Sequence, residues 1–314
     1  MKLEDFLTPK QDELFDQIRG MYHGKCILRK GSYILVKGEA PVLLVAHMDT
    51  VHKVPVRDIC VSKDGDILMS PQGIGGDDRC GVYALVSCYA LSPVKPWLLF
   101  TCDEETGGKG ASMFAKDYPR LPKALRDIKV LIEIDRRGSD DAVYYDCDNT
   151  DLEDYITSKG FTTDWGSYSD ICDIAPAMGV AAVNLSSGYY NAHQTHEYIV
   201  RSELMNTIKR VCSIIQDACD PNFPRYEFIE RVYQPTLWKY GGYSGWSSYD
   251  HLEYEDDYAD TIPASVPENI RLYYGLLLDW YTVRELEEYR KDFGDKAIID
   301  LYKQDVDTMY ETYN

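Results

Sequence analysis

The sequence predicts an α/β fold: a mixed, mostly parallel sheet sandwiched by helices, with a small helical C-terminal appendage. Three observations predict it. Short apolar runs at Pro41–Ala46, Trp97–Phe100 and Val130–Ile134 read as strands buried on both faces. Segments with helical spacing alternate with them through short links, the pattern of parallel strands joined by crossover helices. Each run also ends in acids or a histidine, as strands do when their carboxyl ends open onto a site.

The chain has 314 residues, 45% of them hydrophobic, enough for one large α/β domain and an appendage. A net charge of −19 argues against nucleic acid and against anionic membranes as partners. No apolar run approaches the roughly 18–20 residues that span a bilayer. Met1-Lys2-Leu3-Glu4-Asp5 lacks the apolar core of a secretory leader. The nine cysteines are an odd number without paired spacing, which predicts reduced thiols in a cytoplasmic protein.

Taken in order, Leu14, Phe15, Ile18 and Met21 predict a helix over 10–22, followed by β-like runs at Cys26–Leu28 and Tyr33–Val36. The Pro41–Ala46 strand leads into His47-Met48-Asp49-Thr50-Val51. Weak strands at 58–62 and 67–69 form a hairpin around Lys63-Asp64-Gly65. The run Gly73–Gly81 opens a helix whose stripe is Val82, Leu85, Val86 and Tyr89. The strand from Trp97 ends in Asp103-Glu104-Glu105-Thr106-Gly107-Gly108, and a helix follows over 111–116. After Val130–Ile134 come Asp135-Arg136-Arg137, a strand at 143–146, helices at 151–158 and 169–176, and a strand at Val180–Leu185. A polar loop carries Asn191–Glu197, and a helix over 202–218 closes the unit. Composition changes after Pro221. Residues 1–220 form the main domain and 221–265 a tyrosine-rich connecting segment. Two capping-box patterns, Ser265–Glu268 and Thr282–Glu285, predict a helical appendage over 266–314.

The groups at the strand ends form one set: His47, Asp49, Asp77, Asp78, Glu104, Glu105, Asp135, His193 and His196. Imidazole with carboxylate suits zinc or a similar divalent ion. There are more such groups than one tetrahedral ion needs, so two ions sharing a carboxylate is the natural count. For Asp77-Asp78 the plainer alternative is an acidic pair capping the following helix, a role that Asp78 is expected to fill even where Asp77 is a ligand. Gly107-Gly108-Lys109-Gly110 lacks the leading glycine and the Lys-Ser/Thr ending of a phosphate loop, and reads as a turn. His23, His52 and His251 read as incidental.

Five motifs in order carry a resemblance. They are Ala46-His47-Met48-Asp49-Thr50-Val51, Gly75-Gly76-Asp77-Asp78-Arg79-Cys80-Gly81, Asp103-Glu104-Glu105-Thr106-Gly107, Ile134-Asp135, and His193-Gln194-Thr195-His196-Glu197-Tyr198. The series resembles the co-catalytic di-zinc exopeptidases, a clan that includes peptidase T-like tripeptidases, carboxypeptidase-like amidohydrolases and single-domain zinc aminopeptidases. The resemblance covers about residues 40–200.

What the resemblance implies is a zinc-exopeptidase fold binding two divalent metal ions, most simply Zn2+. A hydroxide between the ions would hydrolyse a peptide bond. His47 would bind one ion with Asp49 orienting it, and Asp77 would bridge the two, with a cis peptide after it. Glu104 would be the general base. Glu105 would ligate the first ion and Asp135 complete its shell beside His47, or the two would exchange places, since chain order does not decide this. His193, four before Glu197, would bind the second ion in preference to His196.

The implied activity is that of an aminopeptidase or small-peptide exopeptidase. The alternatives are a deacylase of N-acyl amino acids or cell-wall fragments, and a non-catalytic binding protein. The expected partners are a short peptide or N-acyl amino acid and, in a homo-oligomer, further copies of the chain. The separation of 58 positions between Asp135 and His193 leaves no room for an inserted lid or dimerisation domain. Arg136-Arg137 beside a ligand either grips a substrate carboxylate or pairs with Asp140 and Asp141.

Overall fold

The computed structural model describes residues 1–166, 168–231, 262–263, 265–277, 283, 286–287, 290–291 and 294–299. The chain divides into two compact units, Met1–Val232 and Tyr233–Asn314.

The first unit opens with α1 (Glu4–Leu7), α2 (Gln11–Met21) and the hairpin β1 (Cys26–Arg29)–β2 (Tyr33–Val36). Then come β3 (Val42–His47), β4 (Cys60–Val61), β5 (Ile67–Met69), α3 (Gly76–Leu91), β6 (Trp97–Thr101) and α4 (Lys109–Asp117). After two short 3-10 turns follow β7 (Val130–Arg136), β8 (Asp141–Val143), α5 (Thr150–Ser158), β9 (Thr162–Thr163), α6 (Ile171–Met178) and β10 (Ala182–Ser186). The unit ends with β11 (Tyr189–Tyr190), β12 (Tyr198–Val200) and α7 (Arg201–Ala218).

Eight strands form one sheet in the order β1-β2-β6-β3-β7-β10-β8-β9. Pairs β3–β6, β3–β7, β7–β10 and β8–β9 are parallel, and the other three are antiparallel. This is the mixed, mostly parallel sheet the apolar runs predict.

Alternation along each strand feeds two apolar layers. Val42, Leu44 and Ala46 of β3 join Leu98, Phe100, Val130 and Ile132 under Leu14, Ile18, Leu85 and Ile208 of the helices. Leu43 and Val45 face the other way, with Leu99, Leu131, Phe114 and Ile174. Helices therefore cover both faces. Burying one such side chain contributes about 1.5–3 kcal/mol, so β3, buried at every position, is an anchor of the unit.

Several elements depart from expectation, mostly at short strands and turns. β4 and β5 do pair around Lys63–Gly65, but they belong to a second, antiparallel sheet in the order β11-β12-β5-β4. Tyr189, Ile199 and Leu68 pair across its first three strands and are buried. The hairpin turn marks β4 and β5, but β11 and β12, of two and three residues, carry too little periodicity to be read. α4 begins at Lys109, two residues early, because Gly107 and Gly108, both at positive φ, turn the chain sharply after Glu105. β8 lies at 141–143, and Tyr145, at φ 52°, falls after it.

The chain continues on the first unit past Pro221. Tyr226 is buried there, and the Arg225 guanidinium donates to the carbonyls of Arg126 (2.7 Å) and Ile128 (2.9 Å). The tyrosine-rich stretch 232–261 and Thr282–Glu285, apart from Val283, lie outside the described residues. In the second unit, α8 (Glu268–Leu277) follows the first capping pattern, and Ile270, Tyr274 and Leu277 are buried with Val266, Leu286 and Ile298. Among the described residues no helix is long and apolar enough to cross a membrane.

Candidate metal centre

Three adjacent parallel strands, β6, β3 and β7, bring their carboxyl ends to one edge. His47 pairs in register with Thr101, and Val45 with Glu133. Two residues further along each of the latter strands, His47 and Asp135 stand side by side, Nε2 to Oδ1 3.6 Å. The turn after β6 delivers Glu104 and Glu105. Asp77 comes from the loop entering α3, where Gly75 has φ 66° and the Asp77–Asp78 peptide is cis. The backbone becomes regular helix after Asp78, whose Oδ1 accepts the Gly81 N–H at 2.8 Å, so Asp78 is the cap of this helix. His193, at φ 65°, sits in the loop between β11 and β12.

The seven predicted residues gather around Asp77 and His47. Asp77 Oδ1 lies 3.2 Å from His47 Nε2 and Asp77 Oδ2 3.1 Å from His193 Nε2. Glu105 Oε2 lies 3.2 Å from the same His193 nitrogen, and Glu104 Oε2 lies 3.9 Å from His47 Nε2. Asp49 Oδ1 is 3.2 Å from His47 Nδ1. The Asp49 carboxylate also accepts the N–H groups of Glu104 (3.1 Å) and Glu105 (3.0 Å), so it ties the β3 and β6 loops together. His196 is exposed.

Two donor sets share Asp77: His47, Asp77 and Asp135, and Asp77, Glu105 and His193, with ligand atoms in each within 4.8 Å of one another. Asp135 thus stands with His47, and Glu105 with His193. Glu105 is also within reach of His47 and Glu104. The buried Glu105 Oε1 has no hydrogen-bond partner among the described residues. Imidazole nitrogens, carboxylates and an orphaned buried oxygen fit divalent ions of the zinc, cobalt or manganese type.

Packing so many acids together distorts their titration. Burial, with Asp135, Asp170 and Glu105 nearby, pushes the Glu104 carboxyl up to about 9. Burial and Asp77 raise Asp135 to about 8. Asp77 is buried too, yet the imidazoles of His193 and His47 hold it below the usual carboxylate range. Asp77 and Glu105 raise His193 to about 10.

In the metal-free protein, Glu104, Asp135 and His193 therefore keep protons that the unfolded chain releases. Their stabilisation is complete below the unfolded values and is lost as pH rises through about 8–10. The thermal midpoint of chelator-treated protein should fall between pH 6 and about 9, whereas added divalent ion, replacing those protons, should raise the midpoint more at the alkaline end. Melting curves across this range check it; a gain from the ion that is the same at every pH would contradict it.

Several interactions were not apparent in the sequence. Glu197 is wholly buried and bonds His52 Nε2 at 2.8 Å, so His52 is not incidental. The buried Tyr189 hydroxyl donates to the Asp135 carbonyl at 3.3 Å. Behind Glu104, buried Asp170 accepts the Thr101 hydroxyl, and Glu133 accepts that of Ser169. Arg136 pairs with Asp164 (2.6 Å) rather than with Asp140 or Asp141, Arg210 holds Asp140 (2.7 Å), and Arg137 is exposed.

The sequence matches no family model, and no curated protein matches it. Solved structures do match. The aminopeptidase PepT from Bacillus cereus ATCC 10987 superposes with a TM-score of 0.52 at 13% identity, over 69% of this chain and 97% of that one. A tripeptidase from Staphylococcus aureus subsp. aureus Mu50 gives 0.51 at 14%, over 69% and 96%. A TET aminopeptidase from the marine sediment archaeon Thaumarchaeota archaeon SCGC AB-539-E09 gives 0.52 at 14%, over 68% and 95%. At such identities the likeness is one of fold. The chain has the α/β fold of these solved aminopeptidases, spanning nearly their whole length.

Proposed function

We propose that the chain is a metal-dependent hydrolase of peptide bonds, an aminopeptidase or small-peptide exopeptidase with two divalent ions, zinc for preference. The observation that carries this reading is a single buried carboxylate, Asp77, with an imidazole on each oxygen. Ions held by His47, Asp77 and Asp135, and by Asp77, Glu105 and His193, would supply Lewis acidity at a substrate carbonyl and acidify water.

The protein's own groups do the rest. Asp49, beside His47 Nδ1, leaves Nε2 turned toward Asp77 and Asp135. Through the N–H groups of Glu104 and Glu105 the same carboxylate fixes where those side chains start. Glu104 is the general base: it takes a proton from the attacking water and gives it to the leaving amine nitrogen. Positive charge beside it lowers its raised affinity for protons, which a base needs.

On this reading the first unit, Met1–Val232, is the catalytic domain, without an inserted lid or dimerisation domain and reaching past the boundary expected at 220, and 266–314 are the helical appendage. The nine free cysteines support a reducing, cytoplasmic setting.

The test is mass spectrometry of a pool of free, N-acetylated and C-amidated short peptides incubated with metal-loaded protein. Stepwise loss of N-terminal residues, blocked by acetylation, is the expected result. Release of acyl groups or of C-terminal residues instead would make the enzyme a deacylase or carboxypeptidase, and no cleavage of any peptide would overturn the reading.

A further inference from the structure

Outside the ligand set, the pair His52–Glu197 is a fully built polar feature. Glu197 is inaccessible to solvent, and its carboxylate meets three donors from two other loops. Oε2 accepts the Gly75 N–H at 2.9 Å and lies 2.8 Å from His52 Nε2, and Oε1 accepts the Asp77 N–H at 3.0 Å. A buried carboxylate is costly unless its lone pairs are occupied, and here donors meet both oxygens.

The glycines around it are shaped to this pair. A Cβ on Gly73 would lie 2.3 Å from the His52 ring. A Cβ on Gly76 would lie 2.7 Å from the Tyr189 Cβ and 3.1 Å from Glu197 Oε1. The run Gly73-Ile74-Gly75-Gly76 is therefore a wrapping for an imidazole–carboxylate pair, with Gly73 and Gly75 both at positive φ.

Three loops meet at this carboxylate. His52 follows β3 and its His47. Gly75 and Asp77 lie on the loop into α3. Glu197 itself lies four residues after His193. We infer that Glu197, locked by His52, is the positioning residue that sets the distance between Asp77 and His193 and so completes the donor set of Asp77, Glu105 and His193. This rests on the reading of the site as a two-ion centre. Glu197 belongs to neither donor set. It acts through the backbone of Asp77 and through the loop that carries His193.

The test is calorimetric titration of chelator-stripped full-length protein with Mn2+ or Zn2+. The wild type, Glu197→Gln, His52→Ala and, as a one-ion reference, His193→Ala are compared. Far-UV circular dichroism reports the fold of each. The expected result is two ions for the wild type. Glu197→Gln keeps its fold, binds one ion as the wild type does and the other about 10- to 100-fold more weakly, the usual cost of losing a partner behind a ligand. Its titration then resembles that of His193→Ala, and His52→Ala shifts in the same direction by less.

Two ions bound by both variants with wild-type affinities would overturn the inference. Equal weakening of both ions would do so too, since that marks general loosening. Should Glu197→Gln fail to fold, His52→Ala decides, because it leaves both backbone donors on the carboxylate. A wild-type chain that binds fewer than two ions would instead overturn the two-ion reading itself, and the inference with it.

Discussion

On the proposed two-ion reading, Asp77→Asn is expected to cost the protein at least one ion while leaving the fold in place. The side chain keeps its volume but offers one carbonyl oxygen and one NH2 group where a charged carboxylate stood between His47 (3.2 Å) and His193 (3.1 Å). An amide has no charge to share and only one oxygen to give, so it cannot serve both donor sets. Removing a partner behind a ligand typically costs about 10- to 100-fold in affinity. A shared ligand should cost more than about 100-fold for the more weakly held ion, and hydrolysis should fall at least as far. Metal content per chain after dialysis, with kcat/KM on a peptide substrate, checks this. Two ions retained together with normal turnover would remove Asp77 from the centre of the site.

The second large effect belongs to Glu104→Gln, and its signature is different. Loss of a general acid–base costs about 10²- to 10⁴-fold in kcat, while the ions should stay, because both donor sets are complete without Glu104. The metal-free variant should melt no lower than wild type. Burial and the carboxylates of Asp135, Asp170 and Glu105 push Glu104 up to about 9, so an amide there relieves crowding. Turnover, metal content and melting measured on one preparation separate a lost base from a lost ligand. Activity within a few-fold of wild type would exclude Glu104 as the base.

How far the chain could be read follows from where its information is local. β3 and β6 were legible because each is an unbroken apolar run, and β7 because its run is interrupted only by Glu133, and all three lead into ligand-type side chains. The convergence of His47, Glu105 and Asp135 on one edge follows once those runs are neighbours in a parallel sheet, whereas Asp77 and His193, at the entry to α3 and in the loop between β11 and β12, were expected only from the resemblance of their motifs. Asp78 as a cap was equally legible, since it acts within three residues of itself. The second sheet was not, because its strands are two or three residues long and take their meaning from partners such as Leu68 and Ile199. Nor was His52, whose partner Glu197 is 145 positions away. Nothing in the sequence links the two residues, and the glycines that accommodate the pair read as the opening of a helix. Which ion each carboxylate serves was likewise open, because chain order says nothing of which imidazole a side chain approaches.

The order of strands in the large sheet also bears on how the chain emerges during synthesis. β3, buried at every position, is flanked by β6 and β7, which lie about 50 and 90 residues further along. Until Arg136 has been made, Val42–His47 lacks a neighbour on at least one side, and its apolar edge has only solvent or another chain to pair with. Closing loops of that length precedes any gain from the contacts they bring. Nascent chains halted before that point present a ready template for aggregation, and the interval between residues 47 and 136 is when the protein has most need of a chaperone.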